Sequence, residues 1–203
     1  MEYPDIRRAQ EADQTAVGDL WVQLLDEQDE LEDRFGIAED ARNRWDNDFP
    51  MWLDDETYRV YVAETGGEVV GFATAHRWGP PPIYEESSEV SLDELYVRPD
   101  DRRKGIGTQL VNAVRDWVDR IGVRRIRLNV LSANEDARAF WTAQDAIPLT
   151  LTLTIERTGG SNPITRSSIP VPLNPVRYPL TGLFYCASRT PIRNVSPRFP
   201  TES

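Results

Sequence analysis

The stretch Glu94-Leu-Tyr-Val-Arg-Pro-Asp-Asp-Arg-Arg-Lys-Gly-Ile-Gly-Thr-Gln-Leu-Val-Asn-Ala-Val-Arg-Asp-Trp-Val118 carries the reading of this chain. It opens as an apolar run through Leu95, Tyr96 and Val97, breaks at Arg98-Pro99-Asp100-Asp101, and continues as Arg102-Arg103-Lys104-Gly105-Ile106-Gly107. Beyond Gly107, the apolar residues Leu110, Val111, Val114, Trp117, Val118 and Ile121 recur at intervals of three and four, which is one face of a helix. The order is therefore strand, basic glycine loop, helix. Glycines in such a loop let the backbone approach a ligand and turn its N–H groups toward it. The helix that follows adds unpaired N–H groups and a partial positive charge. The combination is an anion site suited to phosphate. It is not a Walker loop, since G-x-x-x-x-G-K-[ST] is absent, nor a dinucleotide fingerprint, since the third glycine is missing.

The flanking chain reads as an alternation of strands and helices. Ile6 to Ala9 is a short opening strand. A helix is expected from about Asp13, a candidate N-cap, to Glu27, with Val17, Leu20, Trp21 and Leu24 on its apolar face. The acidic run 26–40 reads as a loop or a helix end. A second helix is expected over 39–53, with a break at Pro50. Runs 58–64 and 69–75 are strands joined by the turn Thr65-Gly66-Gly67-Glu68. The segment 77–88 contains Gly79-Pro80-Pro81-Pro82 and is an irregular connection. Val90 to Val97 feeds the glycine loop, Gly122 ends the following helix, and 125–131 is another strand. A short helix begins after Asn134 and carries Phe140 and Trp141. Leu149, Leu151, Leu153 and Ile155 alternate with threonines, as in a half-buried strand. A hairpin before the central strand and a strand–helix–strand unit around the loop give an α/β (α+β) domain. Its central sheet is mixed and mostly antiparallel, with helices on both faces.

Composition adds limits. The chain has 203 residues, enough for one domain with a sizeable core, and a formal net charge of −11. Residues 158–203 hold five arginines against one acid, Glu202, and eight of the 15 prolines. They are expected to form a loosely packed or disordered basic tail, with residues 1–157 as the folded, acidic domain. An acidic body disfavours nucleic acid as a partner and attracts cations. No run of about 18 apolar residues suggests a membrane span. Met1-Glu2-Tyr3-Pro4-Asp5 lacks the basic start and apolar middle of a signal peptide, and Cys186 stands alone, so a reducing cytoplasm is the expected setting. No metal-ligand pattern is read.

The spacing Arg102-x-x-Gly105-x-Gly107 resembles R-x-x-G-x-G, the pyrophosphate loop of the GNAT superfamily of acyl-CoA-dependent N-acetyltransferases. A second match follows in order: Asn134-x-x-Ala137-x-x-Phe140-Trp141 resembles the family's N-x-x-A-x-x-[LF]-[YW]. The resemblance covers residues 5 to 157. It implies an acetyl-CoA-dependent transfer of an acetyl group to a primary amine, on a small molecule or a peptide N-terminus or lysine; a homodimer is compatible with it. It implies cofactor contacts from Leu95, Tyr96, Val97, Arg102, Arg103, Lys104, Gly105, Ile106, Gly107 and Thr108, and from Asn134 and Trp141 near the thiol end. Two departures stand out. Asp145-Ala146 occupies the place of the usual Gly-Phe. Trp141 occupies the place where many members have a tyrosine that protonates the leaving thiolate, a task an indole N–H cannot perform.

Amine acetylation needs a base. By resemblance, a carboxylate at the place of Asp93 serves in some polyamine and aminoglycoside acetyltransferases, and Glu94 is the neighbouring alternative. Strand alternation would put the two on opposite faces, with only one reaching the acyl site. Where other members place a glutamate on the next strand, this chain has Asn129. His76 is the only histidine and stands just before the proline loop, with a structural and a catalytic role both open. The alternative to an enzyme is a CoA-binding module that lost catalysis.

Overall fold

The computed structural model describes residues 3–79 and 88–155. The expected tail, 158–203, and most of the proline connection lie outside the described residues. The element order is β1 (Asp5–Arg8), α1 (Gln14–Leu31), α2 (Ala41–Asp54), β2 (Tyr58–Thr65), β3 (Glu68–Trp78), β4 (Glu89–Val97), α3 (Ile106–Arg120), β5 (Ile126–Leu128) and α4 (Glu135–Ala143). The five strands lie in one sheet in sequence order. β1 to β4 are antiparallel, and β4 and β5 are parallel, joined by the α3 crossover. The mixed, mostly antiparallel sheet expected from the sequence is present.

Strand alternation divides the apolar residues into two cores. On one face Tyr61, Ala63, Val70, Ala73 and Leu92 pack against Ile106, Leu110, Val114 and Trp117 of α3, with Phe140 and Trp141 of α4 at the margin. On the other face Tyr58, Val60, Val62, Phe72 and Tyr96 pack against Trp21 of α1 and Trp45, Phe49 and Trp52 of α2. The β2–β3 turn uses Gly66 at φ 61° and Gly67 at φ 82°, both in the region that favours glycine. Among the described residues no helix is long and apolar enough to cross a membrane.

Three local expectations are corrected. Asp13 does not cap α1 with its side chain. Its carboxylate instead takes both guanidinium branches of Arg7 at 2.7 and 2.8 Å and the Gln10 N–H at 2.8 Å. Pro50 does not break α2, which runs on to Asp54. A proline there cannot donate to the Asp46 carbonyl, and Gln14 Nε2 supplies that bond from α1 at 2.8 Å. The stretch Leu149 to Ile155 forms no strand. Leu151, Leu153 and Ile155 are exposed at 81%, 79% and 93%. Alternation makes a segment compatible with a sheet, but a strand also needs an edge to pair with. This segment pairs with none of the described strands.

Candidate active site

The strand–loop–helix order expected around residues 94–118 is present. Pro99–Asp101 make a single 3-10 turn after β4, and Arg98 and Lys104 both bind the Asp101 carboxylate, at 2.8 and 2.9 Å. Their charges hold that carboxyl below its ordinary range, with the Lys104 hydrogen bond the largest cause. Arg103 at φ 62° and Gly105 at φ 83° are left-handed, and α3 begins at Ile106. Its first main-chain bond is Gln109 N–H to the Gly105 carbonyl at 3.1 Å. The backbone N–H groups of residues 103–108 therefore have no main-chain acceptor among the described residues. Six successive donors at a helix N-terminus, in alternating backbone conformations, fit a pyrophosphate.

The loop's side chains are otherwise engaged. The Arg102 N–H goes to the Pro99 carbonyl, and its guanidinium clips the loop to α1 through Glu27 at 2.6 and 2.8 Å and to the Val97 carbonyl at 2.8 Å. Arg103 reaches Asp136 of α4 at 3.0 Å. Gly107 does not face open space. A Cβ built there would stand 3.4 Å from the Phe140 ring, an ordinary contact, so this position borders α4. Asn134 caps α4, accepting the Ala137 N–H at 2.8 Å. Trp141 packs edge-on against Phe140, with centroids 4.9 Å apart.

Beside the loop the sheet opens. β4 pairs with β5 only from Val90↔Ile126 to Leu92↔Leu128. Beyond Leu92, the stretch Asp93–Val97 pairs with β3 alone among the described strands. At the point of divergence the β3–β4 register jumps, from Ala75↔Leu92 to Thr74↔Glu94, leaving Asp93 as the extra residue of a β-bulge. The bulge overturns the alternation argument. Leu92 and Leu95 both face the α3 core, so Asp93 and Glu94 both point to the α1–α2 face. A trace was present in the sequence: the inward apolar residues are 90 and 92, then 95 and 97, a change of parity across an acidic pair.

Asp93 is almost fully enclosed, with its side chain 2% exposed. Its Oδ2 lies 2.6 Å from His76 Nδ1 and accepts Tyr58 Oη–H at 3.3 Å, while Oδ1 accepts Ser91 Oγ–H at 2.7 Å. Burial raises this carboxyl, and the His76, Ser91 and Tyr58 bonds oppose the rise. Glu94 accepts the Trp21 indole N–H at 2.8 Å and Thr74 Oγ–H at 2.5 Å. Burial, with the neighbouring Asp93 charge, pushes it up to about 7. His76, which sequence reasoning left open, is thus brought to the carboxylate pair. Its ring stacks on Tyr58, which stacks on Trp52, with centroid separations of 5.4 and 5.3 Å. Nothing in the spacing from His76 to Asp93 signals their contact, because only the β3–β4 register sets it.

A sheet split beside an anion-binding helix N-terminus is the arrangement of acyl-CoA-dependent acyltransferases. The sequence model of the Acetyltransferase (GNAT) family matches residues 21–145, and the chain belongs to this family. Among curated proteins, it is 26% identical over 143 residues to the uncharacterized N-acetyltransferase YhfO of Bacillus subtilis, covering 68% of this chain and 85% of that one. It is 32% identical over 100 residues to an uncharacterized N-acetyltransferase of Archaeoglobus fulgidus, covering 49% and 67%. A mutant of the BH1408 protein from Bacillus halodurans superimposes with a TM-score of 0.69 at 20% identity, over 76% of this chain and 99% of that one. The aminoglycoside N-acetyltransferase AAC(6')-Iy in complex with CoA gives a TM-score of 0.61 at 20% identity, over 77% and 96%. The protein is an N-acetyltransferase of this family.

Proposed function

We propose that the chain moves the acetyl group of acetyl-CoA directly to a primary amine carried by a cationic small molecule or a peptide. The observation that carries this is the sheet opening at Leu92: the bulge places two buried carboxylates where the split begins, and the N–H loop lies at its far end. The N–H groups of Arg103, Lys104, Gly105, Ile106, Gly107 and Thr108 hold the pyrophosphate. The freed backbone of Leu95, Tyr96 and Val97 lies along the pantetheine arm, and an N–H there polarises the thioester carbonyl. Asn134 and Trp141 border the thiol end. The first helices place many acids around the α1–α2 face, which suits an acceptor that arrives as a cation.

Asp93 and Glu94 lie at the acceptor end of the split, and the proton shed by the amine ends on the cluster that they form with His76. Trp141 supplies none to the departing sulfur, so the thiolate takes its proton from this cluster or from water.

The test is acetyl-CoA turnover with spermidine, kanamycin, free lysine and a lysyl peptide, read as thiol release and as acetylated product by mass. Product from at least one amine is expected. Saturable CoA binding with no product from any amine overturns the proposal and leaves a CoA-binding module.

A further inference from the structure

Asp93 is poorly placed to meet an incoming amine. Its side chain is 2% exposed, and both oxygens are held, Oδ1 by Ser91 and Oδ2 by His76 and Tyr58. His76 is 19% exposed. One ring face lies on Tyr58 at an interplanar angle of 11°, and Nδ1 is spent on Asp93. Among the described residues, Nε2 has no hydrogen-bond partner. An imidazole fixed at one nitrogen by a carboxylate keeps the other free as a base, and the carboxylate stabilises the imidazolium that forms.

We infer that His76 is the group that takes the proton from the acceptor amine, and that Asp93 is a positioning residue acting through it. The inference rests on the acetyl-transfer reading above and names the base within that site. Asp93 holds Nδ1 as the N–H, so Nε2 carries the lone pair. The amine nitrogen attacks the thioester carbonyl carbon; a C–N bond forms, and the C–S bond breaks with its electron pair on sulfur. One N–H proton passes to His76 Nε2. The imidazolium then gives that proton, through water, to the thiolate, so the sum is amide plus thiol and the imidazole is regenerated. This route also accounts for a working site with an indole at position 141. The groups around His76 are Asp93, with Ser91 bonded to it, from β4, Glu94 beside Asp93, and Tyr58 from β2, with the neutral Trp52 ring of α2 behind it.

His76 is the only histidine in the chain, so one imidazole can be followed without assignment. The experiment uses untagged full-length protein labelled with ¹⁵N-histidine, and whichever of the four amines above the wild type acetylates. The wild type should show an Nδ1–H tautomer in its ¹⁵N spectrum, and Asp93→Asn should lose it. His76→Gln should lower kcat/KM by about 10² to 10⁴-fold and remove the acidic limb of the pH profile. Stabilisation by CoA should be unchanged in both, which serves as the folding control. Should His76→Gln keep the acidic limb and near-full kcat/KM while Asp93→Asn loses them, Asp93 is the direct base and the inference is overturned. An Nε2–H tautomer in the wild type overturns it equally. If the wild type acetylates nothing, the acetyl-transfer reading itself has failed, an outcome separate from either of these.

Discussion

Glu94 is a carboxyl that the fold holds partly protonated near neutral pH. Its surroundings raise it from 4.5 to about 7, with burial the main cause and the Asp93 charge adding to it. Between those values the folded chain binds more protons at this site than the unfolded chain does. Stability from this group is therefore greatest at or below about 4.5 and is lost as pH rises through about 7. Glu94→Gln keeps one oxygen to accept the Trp21 N–H, its NH2 can donate to Thr74 Oγ1 once that hydroxyl turns, and it has no proton to lose. Relative to this variant, the wild type should lose up to about 3 kcal/mol between pH 4.5 and 8. Urea midpoints of both proteins across that range are the measurement, and parallel pH profiles would show that the carboxyl is not desolvated as described.

At the scale of elements, the end of α4 shows how a departure from the family pattern is absorbed. Asp145 stands where glycine is usual, yet it adopts φ 63° and the backbone closes as it would around glycine. Ala146 N–H reaches back to the Trp141 carbonyl at 3.0 Å, and Asp145 N–H to that of Thr142 at 3.1 Å. Aspartate tolerates the left-handed region but at a cost that glycine avoids. Asp145→Gly should stabilise the protein by about 1 kcal/mol, which for a chain of this size is roughly 2–4 °C in Tm. No change, or a loss, would mean that the Asp145 side chain contributes more than its backbone costs. The same end of the chain is tied to α3 by Arg115, which donates to the Gln144 carbonyl at 2.9 Å, and by Gln144, which donates to Thr108 Oγ1 at 3.2 Å. A shift in α4 would thus be felt at the N-terminal turn of the helix that carries the anion loop.

Taken as a whole, the domain has its proposed CoA site where its elements part. The loop before α3 is tied to α1 by Arg102–Glu27 and to the start of α4 by Arg103–Asp136. A ligand bridging these elements should stabilise the whole domain. At 100 times its Kd, CoA should add about 2.7 kcal/mol and raise Tm by roughly 5–10 °C. Desulfo-CoA should do nearly the same, since the pyrophosphate contacts do not involve sulfur. Thermal scans with each ligand check this, and a Tm indifferent to both would remove the loop as a CoA site.

The sequence by itself determined the frame. Apolar spacing set α3, β-branched runs and two glycines set the β2–β3 hairpin, and Arg102-x-x-Gly105-x-Gly107 marked the anion loop, because each of these signals is local. Tertiary structure decided the rest. Pro50 stays helical because Gln14, 36 residues away in sequence, supplies the bond the proline cannot make. The run from Leu149 to Ile155 has a strand's alternation but stays exposed and joins none of the described strands. One extra residue in β4 brings Asp93 and Glu94 to the same face, and antiparallel register sets His76 against Asp93. Pairing across strands is fixed by register, and register is a property of two chain segments together. No pattern read along one segment contains it.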